Sequence, residues 1–410
     1  MSIILNREEL LESNAELRGQ ALDILEAGLD AIDTEKILKR KISIKDCVLN
    51  IDGYFFDLKS YERVFFVGIG KCALKGAQII EDIFGNNLTE GIVIDVKSGS
   101  EASDLKKIKY FEGTHPLPSE QNIEATKEIL KMVENVTEKD LIINLISGGG
   151  SALFDLPDEA GTAKLGLPGE TSLETIIRIT QEFTARGADI YELNSVRKQM
   201  SQVKGGKFAE LCDPAHMVSL IFSDVPGNNV SVIASGPTVL DAPSKRVKNI
   251  IIVSNTDALE AMESKAEEFG FYVTTETDRF SGDARKSGED LAKREPKSKT
   301  CILFGGETTT IISDSHGIGG RNQTMALSAL PFMKPDSVLI CAASDGFDNT
   351  DHAGAIVDVE LFEKSKSLNL NSEEFLEKND SYNFFKQVGG AIYTGRLGSN
   401  VSDLYIMLYK

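Results

Sequence analysis

Three things are scarce in this 410-residue sequence: paired cysteines, blocks of positive charge and long apolar runs. The five cysteines are scattered, their number is odd and no two have CxxC spacing, so neither a disulfide framework nor a zinc site is expected. The four histidines also show no metal-ligand spacing. These absences favour a reducing compartment, and we expect the protein to be cytoplasmic.

Positive charge is outnumbered, since 44 lysines and arginines face 63 aspartates and glutamates. A nucleic-acid binder needs a basic footprint, and no basic block occurs along the chain, so we expect no nucleic-acid partner. No apolar run approaches the roughly 20 residues that cross a bilayer, and charge follows the first residues too soon for a secretory signal. We therefore expect no membrane segment. The sequence leaves open whether the protein is a monomer or a homodimer.

What is present is typical of a globular enzyme with two domains, because the chain is too long for one typical core. Short apolar segments alternate with helical patterns, which predicts an α/β fold with a largely parallel sheet covered by helices on both faces. A proline-containing, charged stretch at 236–249 is the candidate linker, so the predicted domains are 1–245 and 246–410. The amphipathic helices at 8–39 fit either domain. Strands are predicted at 63–70, 91–96, 140–147, 216–225, 250–255, 272–277, 301–307 and 337–346.

Several predicted strands end in glycine, and α/β sheets bind ligands in the loops at the carboxyl ends of their strands. In "FFVGIGKCA", Gly70 precedes Lys71, whose charge suits an anion, although a tight turn with a solvated lysine explains the pattern equally well. In "DLIINLISGGGSALF", three glycines between two serines let a phosphate approach the backbone. The alternatives are a strand-to-helix turn and a nucleophilic serine, the latter disfavoured because the GxSxG elbow is absent. The candidate phosphate-binding residues are Ser147, Gly148, Gly149, Gly150 and Ser151.

Charged candidates follow in the rest of the first domain. The segment "NSVRKQMSQVKGGKFAEL" at 194–211 contains Arg197 and Lys198, which suit a carboxylate or a phosphate, although an ordinary charged helix face is the alternative. Lys204 and Lys207 complete this basic cluster, and for Lys207 the solvated helix face is favoured. Asp224 follows a strand in "IFSDVPGNN", where a carboxylate can hold Mg²⁺, accept a hydroxyl proton or simply form a turn.

The second domain has glycine loops of its own. "LFGGETTT" and "GIGGRNQTMAL" supply Glu307, Arg321 and Asn322, and "CAASDGFDNTDHAGAIVD" supplies Asp345 without the spacing of a calcium-binding EF-hand. His115, in "GTHPLPSE", serves either a turn or a substrate contact, and the turn is the favoured interpretation.

Nine motifs occur in the order seen in the class II glycerate 2-kinases, the family with a C-terminal MOFRL domain. They are "VGIGKCA", "GTHPLPSE", "LISGGGSALF", "SVRKQMSQVKGGKFA", "FSDVPGNNVSVIASGPT", "FGGETT", "GGRNQTMAL", "ASDGFDNTDHAGAIVD" and "TGRLGSNVSDLYIML". The resemblance implies a larger Rossmann-like N-terminal domain, a smaller α/β C-terminal domain and an active-site cleft between them. It also implies ATP-dependent phosphorylation of D-glycerate at its 2-hydroxyl, with Mg²⁺, giving 2-phosphoglycerate and ADP.

Site residues follow from the resemblance and from the residue types. The resemblance places the catalytic positions at Lys71, Asp224 and Arg321. As hypotheses, Gly236 and Asn322 join the Ser147–Ser151 loop in binding the nucleotide. The hypotheses for the substrate are Gly70, Arg197 and Lys198, and those for the metal are Asp345 and Asp224.

The sequence departs from the family pattern at three places. The segment before the strand at 250–255 is shorter than in many members, Thr324 stands where an acidic residue is usual, and Arg396 stands where a proline is usual. A kinase for a related sugar acid is therefore one alternative. A second is an NAD(P)H-dependent hydroxypyruvate reductase with Asp95 as the ribose partner, although no GxGxxG follows the first strand. A non-catalytic ligand sensor is a third.

Overall fold

The computed structural model describes residues 2–12, 15–96, 104–186, 190–225, 227–295, 298–312 and 316–410. The chain divides into two compact units. The first unit is Thr34–Ile252, and the second unit combines Met1–Asp33 with Val253–Lys410. None of the helices in these described ranges has the length and apolar character needed to span a membrane.

Strands and helices alternate along most of the described chain. The strands are β1 Ile42–Lys45, β2 Val48–Ile51, β3 Tyr54–Asp57, β4 Arg63–Ile69, β5 Glu90–Val96, β6 Ile108–Gly113, β7 Asp140–Ile146, β8 His216–Phe222, β9 Val247–Val253, β10 Tyr272–Asp283, β11 Thr300–Thr309, β12 Ser337–Ala343, β13 Gly354–Val357, β14 Ala391–Ile392 and β15 Asp403–Tyr409. The helices are α1 Arg7–Leu10, α2 Ala15–Ala31, α3 Thr34–Lys41, α4 Ala73–Phe84, α5 Glu120–Met132, α6 Gly150–Leu153, α7 Glu159–Ala163, α8 Ser172–Ala185, α9 Ile190–Met200, α10 Lys207–Leu211, α11 Asn255–Glu268, α12 Ala284–Ala292, α13 Arg321–Ala329, α14 Val359–Ser367, α15 Ser372–Glu377 and α16 Ser381–Val388.

The six-stranded sheet of the first unit has the order β6-β5-β4-β7-β8-β9. The pairs from β6 through β8 are parallel, and every residue of β7 is buried, as expected for a central strand covered on both faces. From β4 the chain first builds the sheet on one side and then returns to build the other side from β7. This doubly wound order has its switch point between β4 and β7, where such folds bind ligands.

The sheet of the second unit has the order β10-β11-β15-β12-β13-β14. β10 and β11 are parallel, and the other neighbouring pairs are antiparallel. Asp403, the first residue of β15, lies opposite Gly306 of β11 on one side and Ala343 of β12 on the other. The carboxyl ends of β11 and β12 therefore flank this aspartate. The predicted α/β fold is confirmed, with a parallel sheet in one unit and a mixed sheet in the other.

The compact units run differently from the predicted ranges 1–245 and 246–410 at two places. Helix α2 belongs with the second unit because it packs on α11, where a Cβ added to Gly28 would lie 2.7 Å from the Met262 side chain. Strand β9, which contains most of the strand predicted at 250–255, is a neighbour of β8 in the first sheet. The chain therefore leaves the first unit after β9 rather than before it.

Candidate functional site

The ends of β4 and β7 are joined by contacts that require glycine and serine. Ile69 and Ile146 are register partners, so Gly70 and Ser147 follow them side by side. Gly70 has φ +116°, and a Cβ there would lie 2.2 Å from the Ser147 Oγ, which excludes other residues. The buried Ser147 hydroxyl donates to the Ile69 carbonyl at 3.3 Å and accepts the Cys72 N–H at 3.4 Å. Ser147 thus fixes the two strand ends, and its hydroxyl is occupied by the protein.

The loop after β7 presents backbone donors. The Lys71 N–H donates to the Gly148 carbonyl at 2.9 Å, which holds the two loops together. Within the described ranges, neither the Gly148 nor the Gly149 amide donates a hydrogen bond to a protein acceptor. Gly149 has φ +85°, the left-handed conformation that turns successive N–H groups into an anion-binding nest. The glycine loop at the switch point therefore offers two neighbouring N–H groups to an anion.

Lys71 and His115 flank this nest. A Cβ added to Gly149 would lie 3.2 Å from the Lys71 Cγ and 3.2 Å from the His115 Cδ2. Lys71 is half-buried and His115 is exposed. The sequence favoured a turn for His115, but the structure also brings its imidazole ring beside the glycine loop. No local sequence pattern signals this contact, because His115 and Gly148 are 33 positions apart in the sequence.

Ser151 connects the glycine loop to two further segments. Its hydroxyl lies 2.9 Å from the Ser235 Oγ, and Ser235 donates to the Asn194 Oδ1 at 2.8 Å. Gly236, with φ +61°, accepts the Gly206 N–H at 2.8 Å through its carbonyl. The candidate nucleotide residues Ser151 and Gly236 therefore belong to one hydrogen-bonded group of loops in the first unit.

Two of the four cations in the basic segment have structural contacts. Lys204 is completely buried, and its ammonium lies 2.6 Å from the Asp155 carboxylate. Burial lowers the pKa of Lys204 to about 8, although the Asp155 charge opposes this shift. Lys207 donates to the Lys198 carbonyl at 2.9 Å and to the Ser201 carbonyl at 2.5 Å, at the end of α9. The helix-face interpretation of Lys207 therefore gives way to a role in fixing the end of that helix.

The other two cations are the substrate candidates. Arg197 and Lys198 are both half-buried on α9. Burial lowers the pKa of Arg197, and the Asp155 charge partly offsets that effect. The aliphatic part of Lys198 packs on Gly205, where a Cβ would lie 3.1 Å from the Lys198 Cγ. Both side chains retain exposed surface through which they can meet an anion.

Asp224 follows β8 at the same edge of the sheet and is half-buried. Burial raises the pKa of the Cys72 thiol to about 12, and the charges of Asp95 and Asp224 add to this rise. Asp224 thus lies near Cys72, the residue that follows Lys71. The first unit brings Lys71, the glycine loop and Asp224 to one edge, as expected for residues at the carboxyl ends of parallel strands.

Asp95, the candidate ribose partner of a reductase, has a different role. Its carboxylate is 2% exposed and accepts the Leu74 N–H at 3.0 Å and the Val96 N–H at 2.7 Å. The Leu74 amide belongs to the first turn of α4, where N–H groups lack partners within the helix. Asp95 therefore stabilises the start of α4 through its buried carboxylate.

In the second unit, Arg321 begins α13 and is held by two carboxylates. Its Nε donates to Asp403 Oδ2 at 2.5 Å and its Nη2 donates to Asp403 Oδ1 at 3.1 Å, while its Nη1 contacts Glu307. Burial alone would lower the pKa of Arg321, but the charges of Asp403 and Glu307 hold it above its ordinary value. Asp403 was missed at the sequence level, because a carboxylate at the start of an apolar strand gives no signal of its partner.

Asp345 and Asn322 differ in exposure. Asp345 is half-buried, and its Oδ1 accepts the Phe347 N–H at 3.0 Å. Its carbonyl accepts the Leu397 N–H at 2.9 Å, next to the exposed Arg396. Asn322 is completely buried, and its Nδ2 donates to Asp348 Oδ1 at 3.2 Å. This geometry favours a supporting role for Asn322 over direct contact with a nucleotide.

The candidate ligands for a metal ion are two separate carboxylates, Asp224 and Asp345. Among the residues that the structure describes, no group of three or more His, Cys, Asp or Glu side chains is arranged to hold a metal ion. Mg²⁺ usually takes only one or two protein carboxylates and completes its shell with water and substrate phosphates. The carboxylates of Asp224 and Asp345 match that oxygen chemistry, each within its own unit.

The fold and this edge of the first sheet define a doubly wound α/β protein with two open backbone amides at its switch point. Residues 20–269 match the model described as "Domain of unknown function (DUF4147)", and residues 300–403 match the MOFRL family. The chain is 33% identical to a D-glycerate 2-kinase of Thermotoga maritima, covering 96% of this chain and 98% of that protein. It is 34% identical to a glycerate 2-kinase of Pyrococcus horikoshii, covering 95% and 98%. A crystal structure of Thermotoga maritima glycerate kinase matches with a TM-score of 0.79 at 32% identity, covering 96% of this chain and 99% of that chain.

The chain therefore belongs to the glycerate 2-kinase family, which unites the DUF4147 and MOFRL regions in one polypeptide. It is an enzyme of the phosphotransferase class. The resemblance seen in the nine motifs is thus confirmed over nearly the whole chain.

Proposed function

We propose that the protein transfers the γ-phosphoryl group of ATP to the 2-hydroxyl of D-glycerate, giving 2-phosphoglycerate and ADP. Full-length similarity to named glycerate 2-kinases supports the reaction. The observation that carries the proposal is the pair of open amides at Gly148 and Gly149, beside Lys71, at the switch point of the sheet. An anion nest with an adjacent lysine is the arrangement that a polyphosphate requires.

The phosphate-binding roles follow from this geometry. The Gly148 and Gly149 amides receive phosphate oxygens, and the glycines leave the space that the ligand needs. Lys71 neutralises the charge of the transferring group, which is the main task of the protein in phosphoryl transfer. Ser147, Ser151 and Gly236 hold the loop in shape through the contacts described above, and the Gly150 N–H adds a hydrogen bond to the Ser147 carbonyl at 3.3 Å.

The substrate roles rest on residue chemistry. Asp224 accepts the proton of the 2-hydroxyl, or orients that hydroxyl, as its oxygen attacks the γ-phosphorus and the bond to ADP breaks. Arg197 and Lys198 bind the glycerate carboxylate, since a guanidinium fork and an ammonium suit that anion. Gly70 contributes to the substrate side of the site indirectly, because its missing side chain makes room for the Ser147 Oγ at the end of β4. Arg321 stabilises charge on the transferring phosphoryl group.

Mg²⁺ belongs to this proposal, and its candidate ligands are the carboxylate of Asp224 in the first unit and that of Asp345 in the second. When bound, the ion neutralises negative charge on the phosphate oxygens. In the second unit, the carboxylates of Asp403 and Glu307 both contact the guanidinium of Arg321, so two negative charges meet one positive charge there. This negative surplus is compatible with a divalent cation.

A coupled assay tests the reaction and its regiochemistry together. With ATP, Mg²⁺ and D-glycerate, we expect enolase-coupled detection to report 2-phosphoglycerate directly, without added phosphoglycerate mutase. Signal that requires the mutase would mean transfer to the 3-hydroxyl. Faster turnover of a longer sugar acid would identify a related kinase, and NADH oxidation with hydroxypyruvate would support the reductase.

A further inference from the structure

We propose that Asp348 is a positioning residue that fixes the first turn of α13, where Arg321 lies. Position 320 is a glycine because any side chain there would collide with Asp348. The inference rests on the proposed role of Arg321 in phosphoryl transfer. It concerns a carboxylate that carries no role in the reaction described above. Asp348 lies in "SDGFDNTDH", three residues after Asp345.

Asp348 binds both of the residues that follow Arg321. Its Oδ1 accepts the Asn322 N–H at 3.1 Å and its Oδ2 accepts the Gln323 N–H at 2.8 Å. The side-chain amides of the same two residues donate to it at 3.2 and 3.3 Å. The first N–H groups of a helix have no acceptor within the helix, so one carboxylate here satisfies two of them. The backbone at Arg321 is thereby held against the loop after β12.

The close approach of Asp348 explains Gly320. A Cβ at Gly320 would lie 2.1 Å from the Asp348 carbonyl oxygen, 2.2 Å from its Cγ and 2.3 Å from its Oδ1. Gly320 has an ordinary extended conformation, with φ −127°, so it is needed for space and not for backbone freedom. Gly320 of "GGRNQ" and Asp348 of "SDGFDN" are therefore in direct contact, and the glycine is needed for that contact to form.

Arg321 consequently has two points of attachment. Asp403 orients its guanidinium, as described above, and Asp348 orients its backbone. The Asp348 N–H also donates to the His352 carbonyl at 2.8 Å, which closes a turn at 348–352 in the same loop as Asp345. Asp348 thus links the candidate metal ligand Asp345 to the helix of Arg321.

Two variants test this role by different chemistry. Asp348→Asn replaces one acceptor oxygen with a donor that faces other donors, and Gly320→Ala pushes Asp348 away without changing any charge. Matched controls are Asp283→Asn, which alters the cap of α12 where Asp283 accepts the Lys286 N–H at 2.8 Å, and Gly19→Ala, where a Cβ meets only Leu11 at 3.7 Å. Hydrogen exchange of the 320–330 segment and steady-state kinetics are measured on all of them in the full chain.

We expect both test variants to exchange the Asn322 and Gln323 amides at least tenfold faster than wild type. We expect kcat to fall by about tenfold to hundredfold, as for loss of one positioned transition-state contact, with KM for D-glycerate changed less than threefold. The controls should differ from wild type by less than twofold in kcat. Wild-type exchange at these amides, or wild-type kcat with fast exchange, would overturn the inference.

A double-mutant cycle separates positioning from general structure. In an Arg321→Ala background, Asp348→Asn should lower kcat by less than twofold, because its effect passes through Arg321. A full additional loss would contradict the inference, since Asp348 would then act elsewhere. Absence of kinase activity in the wild type would contradict the proposed function, whereas the exchange measurement would still report whether Asp348 holds the helix.

Discussion

The two loop regions that carry the candidate residues treat charge in opposite ways. At the switch point of the first unit, the Gly148 and Gly149 amides have no protein acceptor in the described chain, and Lys71 lies beside them. In the second unit, Arg321 is already bound by Asp403 and Glu307. The first region is prepared to receive an anion directly. In the second region, we expect Arg321 to contact a phosphate only after one of its two carboxylates has moved away or a cation has neutralised it.

The two regions also differ in the interactions that hold them in shape. The open nest is shaped by backbone conformation and by the Gly70–Ser147 contact, so no ion pair within it has to break when an anion binds. The Arg321 cluster is shaped by ion pairs, of which the Asp403 pair is buried and the Glu307 pair is partly exposed. Buried charge pairs are costly to break, whereas exposed pairs contribute little. We therefore expect Asp403 to remain in place and Glu307 to be the carboxylate that yields.

The largest effect is expected at Lys71. Lys71→Ala removes the cation beside the nest and should lower kcat by about 10²–10³-fold, through lost stabilisation of the transferring group. The coupled assay measures this, with the exposed Lys127 of α5 as the matched control. Retention of more than a third of the wild-type rate would remove Lys71 from the mechanism.

The next effect separates the two partners of Arg321. Asp403→Asn leaves a guanidinium without its buried carboxylate, so we expect a loss of about 2–4 kcal/mol in the free energy of unfolding and at least tenfold in kcat. Glu307→Gln, at a partly exposed side chain, should change the free energy of unfolding by about 1 kcal/mol or less. Denaturant titrations and kinetics of both variants provide the comparison. Equal effects would contradict the distinction between a fixed and a yielding carboxylate.

A smaller effect tests the nest itself. Gly149→Ala forces a side chain into the left-handed region and against Lys71 and His115, so kcat/KM for ATP should fall by about tenfold. Gly169→Ala is the control, because Gly169 has φ +87° but nothing within 4 Å of an added Cβ. The two variants share backbone strain and differ in what the methyl group meets. A comparable loss of ATP kinetics in both would assign the effect to strain alone.

The last prediction concerns the pH dependence of folding stability and not the rate of the reaction. Burial raises the pKa of Asp348 to about 6, above its ordinary value of 3.8, with the Asp403 charge adding to the rise and the Arg321 charge opposing it. As the pH falls, the Asp348 carboxyl is therefore protonated in the folded chain before it is protonated in the unfolded chain. Protonation of Asp348 thus stabilises the fold, and this stabilisation is fully present below pH 3.8 and is lost as the pH rises through 6. The free energy of unfolding should increase from pH 7 to pH 4.5 by on the order of 2 kcal/mol more in wild type than in Asp348→Asn. If the free energy of unfolding changed with pH by the same amount in wild type and in Asp348→Asn, the raised pKa of Asp348 would be contradicted.

Much of the fold was accessible from sequence because it depends on local patterns. The structure has a strand at each of the eight predicted positions, and the glycine loops follow β4 and β7 as their motifs indicate. Strands without a strong apolar run, such as β1 to β3 and β6, were not predicted. The position of α2 was left open, since its amphipathic face does not reveal that the partner is α11, more than 200 residues away.

The candidate site was predicted as residue types and not as contacts. Lys71, Asp224 and the glycine loop were found because strand ends share one edge of a parallel sheet. The burial of Lys204 against Asp155, the Asp403 partner of Arg321 and the location of the His115 ring depend on tertiary pairing across long sequence separations. The basic segment at 194–211 therefore contains both half-buried substrate candidates, Arg197 and Lys198, and the buried lysine of a structural ion pair.

The most direct measurement is ³¹P NMR of the wild-type protein and Lys71→Ala with ATP, Mg²⁺ and D-glycerate. The wild type should convert the γ-phosphate signal of ATP into that of 2-phosphoglycerate, while Lys71→Ala should leave ATP nearly intact over the same time. Intact ATP in the wild-type sample would contradict glycerate phosphorylation. A product signal of equal intensity in both samples would contradict the central claim that the open glycine loop and its lysine carry the phosphoryl transfer.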